Sequence, residues 1–530
     1  MTDRLSTLLH HLTATAEQGV FNRFRRGLEK ETLRVSDQGQ ISQTDHPRTL
    51  GSALTHPHIT TDYSEALLEF ITPVNTSRHQ TLDFLLDLHR FTLARLGEGE
   101  LLWPASIPCR LSGNASVRIA EYGHSHVGQM KHIYRHGLDW RYGRIMQSIA
   151  GMHYNFSLPD ELWQALATYE GDPELAQQSQ WRSARYFGLI RNFRRYTWLL
   201  MLLFGASPAV DESFLAATKN HRLTQLGEAT WGLPWATSLR MSDLGYQNSV
   251  QSSLRICFNS LTNYINTLQQ AIRTPHPAYV DLGVKVDGVY RQLNTSILQI
   301  ENEYYSSIRP KRVSRSGQSP SDALKQGGVE YIEVRCLDIN PFLPGGIDAA
   351  QMRFLDSFLL FCLLKDSPIL DDDACRRVDQ NMQRVVTQGR HPDTHIWWFE
   401  PTRNDRERPI QEAASDLLAQ LRPLACLLDQ GLDAGETLFS QALDQQEARV
   451  MDFSLTPSAR MLALISETGS HQAAVLQLAR AQREQLLTCP MEKSHEALFS
   501  TQVATSLQEQ QALEAASEGD FDQYLARTLG

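Results

Sequence analysis

Glu29 and Glu31 stand two residues apart in Arg26-Gly27-Leu28-Glu29-Lys30-Glu31-Thr32-Leu33-Arg34-Val35. Side chains alternate along a strand, so in an extended segment both carboxylates leave from one face, about 7 Å apart at Cα. Like charges at that spacing repel unless a cation sits beside them. Hard divalent ions such as Mg²⁺ and Mn²⁺ take oxygen ligands and share them with phosphate groups. Taken alone, such a charge run more often marks a solvated edge face, here with Lys30 and Arg34 as neighbours.

Further acidic residues shift that balance. Glu69 lies within Leu67-Leu68-Glu69-Phe70-Ile71, where Leu68 and Phe70 point one way and Glu69 the other. A carboxylate embedded there needs a partner or a metal, because an unpaired buried charge is costly. Asp62, in a turn-like stretch upstream, can join it, whereas Glu65 reads as a solvated residue. In Val329-Glu330-Tyr331-Ile332-Glu333-Val334-Arg335 the alternation puts Tyr331, Glu333 and Arg335 on one face. That is either a structural ion pair or a metal ligand beside an anion-holding guanidinium. His153 shares a strand face with Asn155. The histidines His124, His126, His132 and His136 invite a zinc reading, but no nearby cysteine or carboxylate completes a tetrahedral set. Arg309, Lys311 and Arg312, after Gln299–Ser307, are candidates for holding nucleotide phosphates; the alternative is an ordinary basic loop.

These residues need strands to carry them. Short β-like segments run at Leu28–Val35, Leu67–Val74, Met152–Leu158, Leu293–Ile300 and Val329–Ile339, each ending near Gly, Pro, Asp or Asn. From about Asp348 the pattern turns helical: Phe354–Leu364 is strongly apolar, Ser470 reads as the N-cap of a helix through Leu487, and Ser500–Ser517 as a surface helix. A regular βαβ rhythm is missing, so the expectation is an α+β fold with a largely antiparallel sheet. Nothing marks a domain cut, so 1–530 is read as one catalytic domain, with a strand-rich core over 25–348 and a mainly helical part over 349–530.

Composition narrows the partners. The 530 residues are 42% hydrophobic, 21% charged and 8% aromatic, a globular mixture. A net charge of −10 argues against a nucleic-acid partner, though a local arginine cluster can still hold an anionic substrate. Seven scattered cysteines without a C-x-x-C fit a reducing compartment. The longest apolar run, Trp198–Phe204, is too short to span a bilayer and reads as a buried helix end. No signal-peptide pattern opens the chain, so the expected location is the cytoplasm, with no membrane partner. There is no G-x-G-x-x-G, P-loop, H-E-x-x-H or G-x-S-x-G motif, which sets aside the commonest dinucleotide, P-loop, metalloprotease and α/β-hydrolase readings.

Seven longer motifs, in this order from about Arg25 to Asp348, resemble the proteobacterial glutamate–cysteine ligases. They are Arg26–Arg34, Gly51–His56, Glu65–Pro73, Gly151–Ser157, Ser238–Tyr246, Ile308–Arg312 and Glu330–Arg335. The resemblance implies a glutamine-synthetase-like fold, a curved antiparallel sheet forming a funnel surrounded by helices. It also implies ATP-dependent joining of the γ-carboxylate of L-glutamate to the amine of L-cysteine through a γ-glutamyl phosphate, the first step of glutathione synthesis. Mg²⁺ or Mn²⁺ is the implied metal, with Glu29, Glu31, Asp62, Glu69, His153 and Glu333 as its ligands. Arg240 and Arg335 are the implied contacts to the phosphoryl group or tetrahedral intermediate. Tyr134, Leu138, Gln147, Tyr246 and Tyr305 are similar to the pocket for the cysteine side chain. A monomer subject to glutathione feedback is expected. The His124–His136 cluster is not part of the family pattern, no adenine-pocket motif is evident, and the length leaves no room for a second, ATP-grasp module. The competing readings are a glutamine-synthetase-like ligase using another amine, and a non-catalytic amino-acid or nucleotide sensor.

Overall fold

The structure, a computed structural model, describes residues 4–217, 221–245, 254, 256–315, 317–399 and 405–529. Its centre is an antiparallel sheet of seven strands: β1 Arg25–Val35, β2 Ile59–Thr61, β3 Leu67–Ile71, β4 Leu101–Leu102, β5 Met152–Ser157, β6 Ile308–Lys311 and β7 Tyr331–Leu337. The order across the sheet is β6-β7-β5-β1-β3-β2, with β4 paired to the end of β1. The path does not close on itself, and helices surround it.

β1 is therefore central rather than an edge, which overturns the solvated-face alternative for Glu29 and Glu31. Lys30 and Arg34 are buried with it. Lys30 points to the opposite face, where its Nζ lies 2.7 Å from His89 Nε2, and burial pulls the ammonium down to about 7. Arg34 donates to Glu100 and to backbone carbonyls of Thr44 and Glu65.

The same far face packs on α1 (Arg78–Leu93), α3 (Ser179–Phe204) and α5 (Ala349–Leu364); α2 (His126–Tyr142) and α4 (Pro320–Gly327) lie elsewhere. Leu28, Met152, Phe156, Ile332 and Val334 contribute to a large apolar core on that side. Within it, Asp356 of α5 receives Arg26 at 2.8 Å, Arg78 at 2.6 Å and the Tyr154 hydroxyl at 2.7 Å. A buried charge survives only with such saturation, and here it pins α1 and α5 under β1 and β5, two of the strands that carry the site.

The expected strand at Leu293–Ile300 does not form. Side-chain amides take the ladder's place: Gln299 Oε1 accepts the Leu293 N–H at 3.0 Å and Asn294 Nδ2 donates to the Gln299 carbonyl at 2.8 Å. Competition of this kind from Asn and Gln releases backbone from sheet pairing. Three helices close the chain: α6 (His471–Thr488), capped by Ser470 as expected, α7 (Lys493–Ala515) and α8 (Phe521–Leu529). No helix among the described residues is long and apolar enough to cross a membrane.

Candidate active site

Strand register gathers the predicted carboxylates. Glu31 lies opposite Glu69, Glu29 opposite His153, Asn155 opposite Glu333, and Glu333 opposite Arg309. Directly paired residues share a face, so Glu29, Glu31, Glu69, His153 and Glu333 form one wall, with Asp62 entering from the bend after β2. His153 Nδ1 is 3.1 Å from Glu29 Oε2 and 3.8 Å from Glu333 Oε1, and its Nε2 is 3.9 Å from Glu31 Oε1. Asn155 Nδ2 donates to Glu29 Oε1 at 2.8 Å, and Glu31 Oε2 accepts the Gly151 N–H.

The wall is electrostatically split. Burial pushes Glu31 up to about 7, with repulsion from Asp62 adding to it. Burial, then repulsion from Glu29, Asp62, Glu31 and Glu333, lifts Glu69 well above the usual carboxylate range. Burial acts the same way on Glu333 but is outweighed by Lys311, Arg335, His153 and Arg309, which hold it below that range. Glu29 is likewise held low against burial, chiefly by the hydrogen bond with His153. Glu333 Oε2 is buried without a hydrogen-bond partner among the described residues. Oxygen-rich donors with one imidazole, mutual repulsion and an orphaned carboxylate oxygen fit a hard divalent cation. Of the six predicted ligands, Glu29, His153 and Glu333 bring ligand atoms within 4.8 Å of one another; among the described residues Asp87, Glu492 and His495 do the same away from this wall.

Beside the wall lies a cavity of about 390 Å³. Glu31, Asp62 and His153 line one part of it, Tyr134, Leu138, Gln147 and Tyr305 another, and Arg240, Arg309 and Arg335 a third. Arg240 is fixed by several contacts: Nη1 is 3.6 Å from Asp338 Oδ1 and Nη2 donates to the Arg335 carbonyl at 3.0 Å. Its guanidinium lies so close to Gly151 that a Cβ there would meet Nη2 at 2.3 Å. Arg335 sits over the Tyr305 ring, 5.7 Å from its centroid, and its Nε and Nη1 have no hydrogen-bond acceptor among the described residues. Preoriented cations of this kind suit charge that develops on a transferring phosphoryl group.

The sequence candidates thus divide. Tyr134, Leu138, Gln147 and Tyr305 meet in one cavity, while Tyr246 lies outside the described residues. Lys311 faces the wall, with Nζ 3.6 Å from Glu333 Oε2. Arg309 lines the cavity. Arg312 turns away, donating to the Gly327 and Gly328 carbonyls at the end of α4. Glu65 is not solvated: it is buried, and its carboxylate accepts the His46 and Glu121 backbone N–H groups at 2.8 and 2.9 Å. In the histidine cluster, His132 Nδ1 contacts the Ala120 carbonyl, His136 Nε2 contacts His132, and His126 packs on Tyr524. Sequence reasoning missed Arg135, Arg141 and Tyr142, which also line the cavity. With Tyr134 and Leu138, Arg141 and Tyr142 follow the i, i+4, i+7, i+8 face of α2, a helical period that marks them in retrospect, while Arg135 sits beside it at i+1.

Fold and site together define a class: an antiparallel-sheet enzyme whose clustered carboxylates and arginines face a cavity, equipped to manage groups as highly charged as phosphates. Comparison narrows that class. The glutamate-cysteine ligase family model matches residues 9–385. A glutamate–cysteine ligase of Azotobacter vinelandii is 49% identical over 99% of this chain and 98% of its own, and one from Pseudomonas putida KT2440 is 50% identical over 94% and 93%. The solved structure of a Francisella tularensis glutamate–cysteine ligase in complex with AMP superposes with a TM-score of 0.87 at 34% identity, covering 96% of this chain and 97% of that one. A bifunctional glutathione synthetase from Pasteurella multocida shares the fold, with a TM-score of 0.72 at 24% identity over 95% of this chain and 58% of that one. The chain belongs to the glutamate–cysteine ligase family.

Proposed function

We propose that this protein uses ATP to join the γ-carboxylate of L-glutamate to the amine of L-cysteine, giving γ-glutamylcysteine, the first step of glutathione biosynthesis. The observation that carries this reading is the single cavity in which a tyrosine- and leucine-lined pocket adjoins Arg240 and Arg335 at the edge of the carboxylate wall. In the first step a γ-carboxylate oxygen of glutamate attacks the terminal phosphorus of ATP, and the bond to ADP breaks. In the second, the cysteine nitrogen attacks the γ-carbonyl carbon, phosphate leaves with its oxygen, and the nitrogen loses a proton.

Arg240 and Arg335 orient the phosphoryl group and hold charge that accumulates on it and on the tetrahedral intermediate. Lys311 is placed to meet phosphate oxygens next to Glu333. Tyr134, Leu138, Gln147 and Tyr305 select the acceptor, since a thiol is a weak hydrogen-bonder and is best chosen by pocket size and apolar contact. Glu29, Glu31, Asp62, Glu69, His153 and Glu333 would hold Mg²⁺ or Mn²⁺, which when bound supplies the positive charge that lets a carboxylate approach a triphosphate.

The enzyme acts as a monomer in the cytoplasm, with 1–530 working as one catalytic domain and its product pathway's end, glutathione, feeding back on it. The scattered cysteines, all of them free thiols, support a reducing compartment. The test is product analysis: γ-glutamylcysteine forms from glutamate, cysteine and ATP, and 2-aminobutyrate substitutes for cysteine better than ammonia does. Preference for ammonia overturns the assignment, and binding of ATP without turnover overturns catalysis.

A further inference from the structure

His126 at the start of α2 and the helix α8 take no part in the site, and they touch each other. Leu525 of α8 joins Ile133 and Leu293 in a small apolar cluster separate from the main core, and Tyr134 and Phe521 pack against it. His126 at the start of α2 lies against both Phe521 and Tyr524, with ring centroids 5.9 and 5.0 Å away. The entry to α2 is tied down as well. The backbone N–H groups of His124 and His126 donate to Glu514 Oε1 at 3.0 Å and Ser517 Oγ at 3.1 Å. Gly123, at φ +75°, lets the chain pass so close to α7 that a Cβ would meet Glu514 at 2.1 Å. On its outer side α8 is held by Asp522, which accepts from Lys285 at 2.8 Å and from the Tyr290 hydroxyl.

We propose that α8 is a positioning clamp for the acceptor pocket, setting affinity for the cysteine substrate by fixing α2. α2 brings Tyr134 and Leu138 to the cavity, and Tyr134 sits at the junction, packed on the clamp's apolar cluster while lining the pocket. The glutamates and His153 of the wall and Lys311 rest on the sheet, whose far face is braced by α1 and α5, and α2 reaches the wall at Asp62, whose carbonyl accepts from Arg135, so the clamp bears chiefly on the acceptor pocket. A shift of α2 by a fraction of an ångström changes pocket shape more than it changes the phosphate side, which the sheet holds. The inference rests on the proposed assignment of that pocket to cysteine.

The experiment compares Leu525→Asp, Phe521→Ala and Leu525→Ile with the wild-type enzyme, measuring KM for cysteine and for ATP, kcat, and amide hydrogen exchange over α2. Leu525→Asp and Phe521→Ala should raise KM for cysteine about tenfold, leave KM for ATP within about twofold, and speed exchange in α2; Leu525→Ile should restore the wild-type values. Unchanged KM for cysteine alongside faster α2 exchange overturns the clamp, as does a parallel rise in both KM values. Should Leu525→Asp fail to fold, Asp522→Ala removes only the outer ties and should give the same pattern at smaller size. A wild-type enzyme that does not use cysteine sinks the pocket assignment instead, while α2 exchange still reports whether α8 holds the helix.

Discussion

Glu31 lies directly opposite Glu69 in the β1–β3 pair, so two carboxylates meet across a ladder on the buried side of a central strand. Like charges in that position destabilise a sheet. Both groups are raised, chiefly by burial: Glu31 is pushed up to about 7 with repulsion from Asp62 added, and Glu69 well above the ordinary range with repulsion from Glu29, Asp62 and Glu31 added. A fold retains such a pair where the repulsion serves a purpose, and concentrating oxygen donors for a divalent cation is one.

That relationship predicts a pH-dependent penalty. In the folded, metal-free protein Glu31 keeps its proton up to about pH 7, whereas the unfolded chain releases it near pH 4.3. Between those values the unfolded state binds fewer protons, so this contribution to stability is complete below the lower value and is lost as pH rises through the upper one. Glu29 and Glu333, held low, act below that window, and buried histidines such as His46 and His56 tilt the opposite way. The clean comparison is therefore with Glu31→Gln in chelator-containing buffer. The variant should gain stability over wild type as pH rises from about 5 to about 8, by on the order of 2 kcal/mol. A difference in melting temperature that stays flat or shrinks across the range refutes the raised Glu31.

Glu29→Gln keeps an acceptor for Asn155 but removes a charge from the ligand set formed with His153 and Glu333. The fold should survive with its melting temperature intact, while metal-dependent ATP turnover falls about 100-fold. Near-normal kcat at saturating Mg²⁺ counts against Glu29 as a ligand.

How much of this the sequence displayed depends on the length scale of each signal. Period-2 alternation put Glu29, Glu31, Glu69 and Glu333 on strand faces, because a half-buried strand writes its two faces into neighbouring residues. Whether β1 was an edge or a centre was invisible locally, since Arg34 and Lys30 look solvated until their distant partners Glu100 and His89 are seen. Glu65 misled for the same reason: its partners are backbone groups of His46 and Glu121. The strand expected at Leu293–Ile300 had suitable residues, but Gln299 and Asn294 captured its backbone first. The roles of Arg240 and Tyr134 came from resemblance alone, because no local spacing links β5, α2 and the residues that follow Ser238.

The basic trio separates by geometry, and so should its variants. Lys311 faces Glu333, whereas Arg312 donates to carbonyls that end α4. Lys311→Ala should raise KM for ATP about tenfold. Arg312→Ala should leave the kinetics unchanged and cost about 1 kcal/mol of stability. Equal kinetic losses in the two variants contradict the assignment.

Glu65 tests the difference between a buried structural carboxylate and a catalytic one. Glu65→Ala strips the acceptor from two backbone N–H groups and a counter-charge from the neighbourhood of Arg34. It should destabilise the protein by about 2–4 kcal/mol while kcat of the remaining folded enzyme holds. A large fall in kcat with unchanged stability places Glu65 in the chemistry.

Arg240 offers the most demanding test, because charge and shape can be separated there. Its guanidinium spans from Asp338 to the Arg335 carbonyl and lies against Gly151, whose N–H also holds Glu31. A lysine keeps the charge, but a single ammonium cannot span both contacts or present a planar face to Gly151. Arg240→Lys should therefore lower kcat about 100-fold, with KM for ATP little altered, because the loss falls on charge that appears only as the phosphoryl group moves. Gly151→Ala attacks the same arrangement from the other side. The new methyl displaces Nη2 without touching the charge, and should reproduce the kcat defect with Arg240 still present. If Arg240→Lys retains full kcat, the site needs only a positive charge at that position; if Gly151→Ala retains it, the close packing of the guanidinium has no catalytic purpose.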